Sequence, residues 1–399
     1  MSCMDELLST IGRSKDLFAE DIKKFESRLS SLVKAGSFLV IGGAGSVGQA
    51  VTKEIFKRKP TRLHVVDISE NNLVELVRDI RSSFGYIEGD FRALPLDCGG
   101  QEYDAFLQSQ KGYDYILNLS ALKHVRSEKD PYTLMRMVRV NILNTEKILQ
   151  YAQRAGCSKC FAVSTDKAVN PVSAMGATKS VAEMCLMRAR KRICVSTARF
   201  ANVAFSDGSL LHGFRQRIQK KQPFSAPQDI KRYFITPMEA GELCLLSTLL
   251  GENRDLFFPK VSSELQLIDF PTIAERYLHS LGYEPYICTS EDEARELVDE
   301  LLPKKLWPCY FWDSDTTGEK PFEEFYTNRE TVDLDRFETI GIVQNSVLHD
   351  DLELETFLRK VQHLLETGYW TKNDIIDSLR SLLPSLNHRE THKYLDSRM

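Results

Sequence analysis

The stretch Phe38-Leu39-Val40-Ile41-Gly42-Gly43-Ala44-Gly45-Ser46-Val47-Gly48 decides the reading of this chain. A short apolar, β-prone run passes directly into a glycine-rich turn, and the residues that follow, 49–57, carry a helical pattern. Glycine at Gly42, Gly45 and Gly48 permits the tight turn, lets an anionic group approach the backbone, and seats a helix N-terminus beneath it, with Ser46 and Val47 on the same turn. Asp67 ends the next apolar run, about 20 residues on, as a dinucleotide fingerprint requires. A carboxylate there accepts hydrogen bonds from ribose hydroxyls and repels a 2′-phosphate, which favours NAD over NADP. Ser69 lies just beyond it. Asp97, which ends the apolar stretch 93–96, is the candidate for the adenine side, with Asp90 as its alternative.

Outward from this turn, short β-rich runs at 38–41, 63–66, 115–119, 161–163 and 194–197 are separated by helical stretches. Strands alternating with helices predict an α/β fold, a Rossmann-type doubly wound parallel sheet. Apolar residues recur at three- and four-residue steps through the first 35 positions (Leu7, Leu8, Ile11, Phe18, Ile22, Phe25, Leu29, Leu32), which predicts an added helical layer. After Arg199 the alternation weakens, as expected of a substrate-binding region laid against the carboxyl edge of the sheet, and helical periodicity returns over 350–383. The expected organisation is 1–35 helical extension, 36–200 NAD-binding domain, 201–335 substrate-binding region and 336–399 C-terminal helical extension.

Composition narrows the classes. The net charge of −4 gives no polybasic footprint for nucleic acid or anionic lipid, and the basic run from Arg188 to Arg192 reads as a solvated helix end. No apolar run of membrane-spanning length occurs, and charged residues interrupt the N-terminus, so neither membrane insertion nor a signal peptide is expected. The nine cysteines are scattered, and the single Cys157/Cys160 pair lacks the second half of a zinc site. Reduced thiols and a cytoplasmic location are the expectation.

The run Phe161-Ala162-Val163-Ser164-Thr165-Asp166-Lys167-Ala168 delivers polar residues at the carboxyl end of a strand, where a doubly wound sheet keeps its chemistry. A helix predicted over 175–190 places Met175 and Lys179 on one face. The Gly42/Gly45/Gly48 spacing resembles that of extended short-chain dehydrogenases/reductases, in which a Tyr-x-x-x-Lys pair is expected: the lysine holds the nicotinamide ribose and lowers the pKa of the tyrosine base. Met175 stands at the tyrosine position, and a thioether cannot move a proton. Taken alone, this residue also fits a chain that binds NAD without chemistry.

A longer set of motifs extends the resemblance. Asn-Leu-Ser-Ala-Leu-Lys-His-Val at 118–125 (containing Ser120, Ala121, Lys123 and His124), Asn141, Ser164-Thr165-Asp166-Lys167, Asn170-Pro171, Met175-Gly176-Ala177-Thr178-Lys179, Arg199-Phe200-Ala201-Asn202-Val203, Arg232-Tyr233-Phe234-Ile235-Thr236, Pro259-Lys260 and Gly318-Glu319-Lys320 follow in order. Together they resemble the UDP-N-acetylglucosamine 4,6-dehydratases of bacterial surface-glycan biosynthesis, in a branch with Met at the tyrosine position, over about residues 36–330.

The resemblance implies an internal redox elimination on a UDP-N-acetylhexosamine with NAD regenerated in each turnover. It assigns Lys167 as base at carbon 5, Asp166 as acid at the carbon 6 hydroxyl, Thr165 to the carbon 4 oxygen and Lys179 to the nicotinamide ribose. A working lysine base must be neutral, so burial or the nearby Lys179 is expected to depress the pKa of Lys167, and Asp166 is expected to be held protonated. The carbon 4 hydroxyl proton has open routes through Thr165 to Lys167, to Lys179 or to water. Lys123, His124, Arg199, Asn202, Ser209, Arg232 and Lys260 are the implied substrate contacts, and a homo-oligomer is expected. An epimerase or ketoreductase is the competing activity; epimerases need no base at carbon 5.

Overall fold

The computed structural model describes residues 3–344, 350–388, 390–394 and 399. Six parallel strands, β1 (Ser37–Ile41), β2 (Arg62–Asp67), β3 (Asp90–Pro95), β4 (Tyr115–Asn118), β5 (Lys159–Thr165) and β6 (Cys194–Phe200), lie in the spatial order β3-β2-β1-β4-β5-β6. This is a Rossmann-type, doubly wound α/β sheet. The order reverses between β1 and β4, and a crevice opens there at the carboxyl ends of the strands.

Successive side chains of each strand enter opposite cores. Phe38 and Val40 belong to the core under the helices Ala19–Ala35, Ser46–Phe56, Glu70–Phe84 and Pro237–Leu250. Leu39 and Ile41 belong to the core under Pro131–Val138, Asn144–Arg154, Ala174–Ala189, Asp351–Thr367 and Lys372–Leu382. Both faces being covered is why these strands read as continuous apolar runs in the sequence.

Two glycines let the first layer close. A Cβ on Gly48 would lie 2.1 Å from the carbonyl oxygen of Gly42, and one on Gly241 would lie 2.7 Å from the Ala50 backbone carbon. Helix Ser46–Phe56 therefore sits directly between the turn that precedes it and helix Pro237–Leu250.

The structure redraws several sequence expectations. The strand β3 is absent from the five β-rich runs read above because its charged residues, Asp90 and Arg92, break the apolar pattern. The sheet also continues past residue 200. Asp255–Pro259 runs parallel beside β6, Ile340–Gln344 is antiparallel to it, and Thr331–Asp333 forms the edge. Ile340–Gln344 thus lies in the nine-stranded sheet, not in a purely helical extension beginning at 336. Such short apolar segments acquire their identity from a partner distant in sequence, and periodicity alone does not reveal that partner.

A separate core forms around Phe214, Phe224, Tyr277 and Trp307, beneath a three-stranded parallel sheet of Glu284–Ile287, Leu306–Trp312 and Phe224–Pro227. Among the described residues no helix is long and apolar enough to cross a membrane.

Residues 3–35 hold two helices, Cys3–Thr10 and Ala19–Ala35, parted at Gly12 with its positive φ. Between them Arg13 pairs with buried Glu239, which also accepts the Leu17 amide. Asp21 is fully buried and accepts hydrogen bonds from the Glu338 amide (2.8 Å), the Thr339 amide (2.8 Å) and the Thr339 hydroxyl (2.7 Å), tying this layer to the chain just before strand Ile340–Gln344. Asp21→Ala orphans all three donors and is expected to lower the unfolding free energy by about 3 kcal/mol. Urea unfolding of the two proteins measures it; equal midpoints would show that the tie contributes nothing.

Candidate active site

The crevice encloses about 480 Å³ and is lined by Gly42, Gly45, Asp67, Asp97, Ser120 and Ala121, among others. A Cβ on Gly45 would meet only the Gly42 carbonyl oxygen, at 3.6 Å, so the turn presents bare backbone to the crevice there. Helix Ser46–Phe56 starts at Gly45 without a side-chain cap, leaving amides for an anion. Asp67 fixes the entrance with both carboxylate oxygens: one accepts the Ala44 amide (2.9 Å), the other the Ser69 amide (2.9 Å). Ser69 caps helix Glu70–Phe84. Ser120 donates its hydroxyl to Asn118 (2.7 Å), which is anchored in turn to Thr145. These residues fit a dinucleotide: backbone donors for a pyrophosphate, a carboxylate for the ribose and a glycine where the backbone faces the crevice.

Of the two adenine-side candidates, Asp97 lines the crevice, whereas Asp90 starts β3 at the opposite end of the sheet and pairs with His64 (3.0 Å) and Arg92 (2.9 Å). Ser46 and Val47 lie in the first turn of the helix; the Ser46 hydroxyl accepts the Asp207 amide (2.9 Å), so it braces a neighbouring loop. Sequence reasoning missed one wall. Tyr132, Arg136, Arg139, Leu365 and Trp370 also line the crevice, so the C-terminal hairpin reaches the site through Leu365 and Trp370. Trp370 is held there by its indole N–H on the Pro131 carbonyl (2.9 Å) and by an edge contact with the Tyr132 ring.

At the carboxyl end of β5 the chain turns into Asp166–Ala168 and brings the polar run together. The Thr165 hydroxyl donates to Asp166 Oδ1 (2.9 Å), and Lys167 Nζ lies 3.2 Å from the same oxygen, 3.4 Å from Asn202 Oδ1 and 3.6 Å from Glu323 Oε1. The structure corrects the expected state of Lys167. Burial pulls its pKa down, but the Asp166 and Glu323 carboxylates outweigh burial and hold the ammonium above the ordinary lysine range. Lys179 lies 16 residues from its hydrogen-bond acceptor, Val163 O (3.0 Å), and is not among these partners.

Met175 occupies the first turn of helix Ala174–Ala189, 3% exposed, its amide donating to the buried Glu128 carboxylate (2.8 Å). Glu128 is also bonded to His388 of the C-terminal segment (3.0 Å). Lys179 follows one turn on, and burial lowers its pKa to about 8, with Glu183 opposing.

Three of the implied substrate cations are engaged elsewhere. Arg199 is buried against Glu183, Glu330 and the Phe325 carbonyl. Lys260 donates to the carbonyls of Leu334, Phe337 and Glu338. Arg232 pairs with Glu319 and the carbonyls of Lys231, Lys320 and Pro321. All three act as struts between distant segments; Arg199 and Arg232 are buried, and a buried cation needs its partners close by. Ser209 caps helix Leu210–Lys220. Lys123 reaches the Ser206 hydroxyl at 3.3 Å, with its pKa lowered by burial, and His124 lies against Gly208, so these two flank the same loop. Of the implied contacts, Asn202 accepts a hydrogen bond from Lys167, and the Arg232 charge acts on both Lys167 and Glu323.

The fold and this site define a Rossmann-type α/β protein with a crevice that fits a dinucleotide and, at the carboxyl end of β5, a lysine–carboxylate cluster. The chain belongs to the polysaccharide biosynthesis protein family, whose model matches residues 38–345. It is 29% identical to the probable polysaccharide biosynthesis protein EpsC of Bacillus subtilis, over 76% of this chain and 52% of that longer one. It is 26% identical to a UDP-N-acetylglucosamine 4,6-dehydratase (inverting) of Campylobacter jejuni, over 57% of this chain and 67% of the other. The solved UDP-glucose 4-epimerase of Thermotoga maritima superposes with a TM-score of 0.55 at 16% identity, covering 73% and 90% of the two chains, a likeness of fold.

The buried amine of Lys179 supplies a sign-specific prediction. Its folded pKa of about 8 lies below the unfolded value of 10.5, so the unfolded chain binds the extra proton between those pH values and stability rises with pH across that window. Below pH 8 the charged amine costs up to about 3 kcal/mol. Lys179→Met is therefore expected to be more stable than the parent at pH 7, with the difference shrinking towards pH 10. Denaturation at several pH values measures this, and a pH-independent difference would contradict it.

Proposed function

We propose that this protein is an NAD-dependent nucleotide-sugar 4,6-dehydratase that converts UDP-N-acetylglucosamine to a UDP-4-keto-6-deoxy-N-acetylhexosamine, with retention at carbon 5, for surface-glycan biosynthesis. The observation that carries the reading is the clustering of Thr165, Asp166 and Lys167 at the carboxyl end of β5. The name of the Campylobacter relative, a UDP-N-acetylglucosamine 4,6-dehydratase, supports the elimination but not the retention, since that enzyme is inverting. Epimerases share the fold but need no proton transfer at carbon 5, and a lysine set among carboxylates is the equipment for that transfer.

NAD would lie along the Gly42–Gly48 turn with its ribose at Asp67, and it supplies a hydride acceptor for carbon 4 and a donor for carbon 6. The chain supplies the rest. Lys179, anchored to Val163, holds the nicotinamide ribose. Thr165 binds the carbon 4 oxygen and, through Asp166, connects it to Lys167 within hydrogen-bond distances, a route for the hydroxyl proton that does not involve Met175. Lys167 takes the proton from carbon 5 after the ketone has acidified it, and Asp166 protonates the departing carbon 6 hydroxyl.

The purified protein, incubated with UDP-N-acetylglucosamine in deuterated water, is expected to give a product that has lost water and carries deuterium at carbon 5, with ring couplings showing retention. Lys167→Met is expected to lower the rate by about a thousandfold while leaving NAD binding intact. Mass spectrometry and NMR read both outcomes. Unchanged substrate with NAD supplied would sink the reading.

A further inference from the structure

The proposed elimination leaves a difficulty at Lys167, which must alternate between amine and ammonium although two carboxylates favour the ammonium. One of them, Glu323, lies outside every motif the sequence singled out. It comes from the loop after Leu306–Trp312, its side chain is 4% exposed, and its Oε1 stands 3.6 Å from Lys167 Nζ.

Among the described residues its other oxygen, Oε2, has no hydrogen-bond donor; the Lys320 ammonium lies 3.5 Å away. Two more buried polar atoms around Lys167 are unsatisfied, Asp166 Oδ2 and Asn202 Nδ2. Buried polar atoms are ordinarily bonded, so three orphans on three neighbours of one lysine mark a place shaped for a polar partner.

We propose that Glu323 is the proton partner of Lys167, a positioning residue that stores the proton which this lysine sheds before it can act as a base. The inference rests on the dehydratase reading. Lys167 first passes a proton to the Glu323 carboxylate. The neutral amine then takes the proton from carbon 5 as the carbon–hydrogen bond breaks and its electron pair moves towards the carbon 4 ketone. Collapse of that enolate breaks the carbon 6–oxygen bond, and the proton of Asp166 leaves with the hydroxyl as water. The proton that Asp166 spends on the hydroxyl is the one Thr165 relays to it from the carbon 4 hydroxyl. Lys167 gives its new proton back to carbon 5, where hydride delivered to carbon 6 would leave a carbanion, and recovers its own from Glu323. The cluster ends with the protons it began with.

The surroundings suit this exchange. Burial and Asp166 raise the pKa of Glu323, while Lys167, Arg232 and Lys320 lower it, and the balance lies above the ordinary glutamate range. A carboxyl so placed accepts a proton from a neighbouring ammonium more readily than an exposed one does.

The test compares the parent, Glu323→Gln and Glu323→Asp by infrared pH titration and by steady-state turnover of UDP-N-acetylglucosamine, with NAD binding followed by fluorescence. The expectation for Glu323→Gln is a kcat lower by about a hundredfold, KM and NAD affinity unchanged, an altered pH profile of kcat and partial recovery in Glu323→Asp. In the infrared, a carboxylic-acid band that titrates above the glutamate range in the parent and vanishes in Glu323→Gln supports the proton store. An unchanged kcat in the variant, a loss confined to KM, or the absence of that band overturns it. Should Glu323→Gln fail to fold, Glu323→Asp decides on the same readouts. A parent that turns over no nucleotide sugar overturns the dehydratase reading instead, and the infrared titration still judges the Lys167–Glu323 pair.

Discussion

Backbone packed on backbone at the glycine turn is the constraint on which the rest depends. With no side chain at Gly48, helix Ser46–Phe56 begins against the Gly42 carbonyl; with none at Gly241, helix Pro237–Leu250 closes on the same helix from outside. The helix start is thereby aimed at the crevice where the strand order reverses, and the Asp67 carboxylate locks the turn to the following strand. A methyl group at either glycine would push apart surfaces that define the site, and close-packed interiors absorb such displacement poorly.

Two lysines, one at the end of β5 and one on the helix that follows, are tuned in opposite directions by what lies beside them. Lys179 is buried, and Glu183, which opposes the effect, is also engaged by Arg199 and Ser164, so desolvation prevails. Lys167 is drawn the other way by two carboxylates from separate parts of the chain. The same side chain therefore has two electrostatic characters within one site, set by partner placement.

The C-terminal segments are structurally continuous with this site. The hairpin of Asp351–Thr367 and Lys372–Leu382 packs on the helix bearing Met175 and Lys179 and lends Leu365 and Trp370 to the crevice, while His388 reaches the Glu128 carboxylate that receives the Met175 amide. Arg199 and Lys260 each hold a loop from the 325–338 region against the main sheet, and Arg232 holds the 319–321 stretch against the small sheet it forms with Ile268–Asp269. Such ties place Glu323 beside Lys167 although they are 156 positions apart.

The sequence by itself determined the glycine turn, the alternation of strand and helix, Asp67 at the second strand end and the Thr165-Asp166-Lys167 run. Each is a local pattern whose physical requirement, a tight turn, a buried strand or a polar strand end, is met within a few residues. Only the tertiary structure decided that Ile340–Gln344 joins the main sheet, that Asp97 and not Asp90 faces the crevice, that three implied substrate cations are internal struts and that Glu323 completes the Lys167 cluster. A charged side chain carries no local mark of its partner. Whether it meets a ligand or a carboxylate, and which way its pKa moves, follows from burial and from neighbours that the chain brings in from far away.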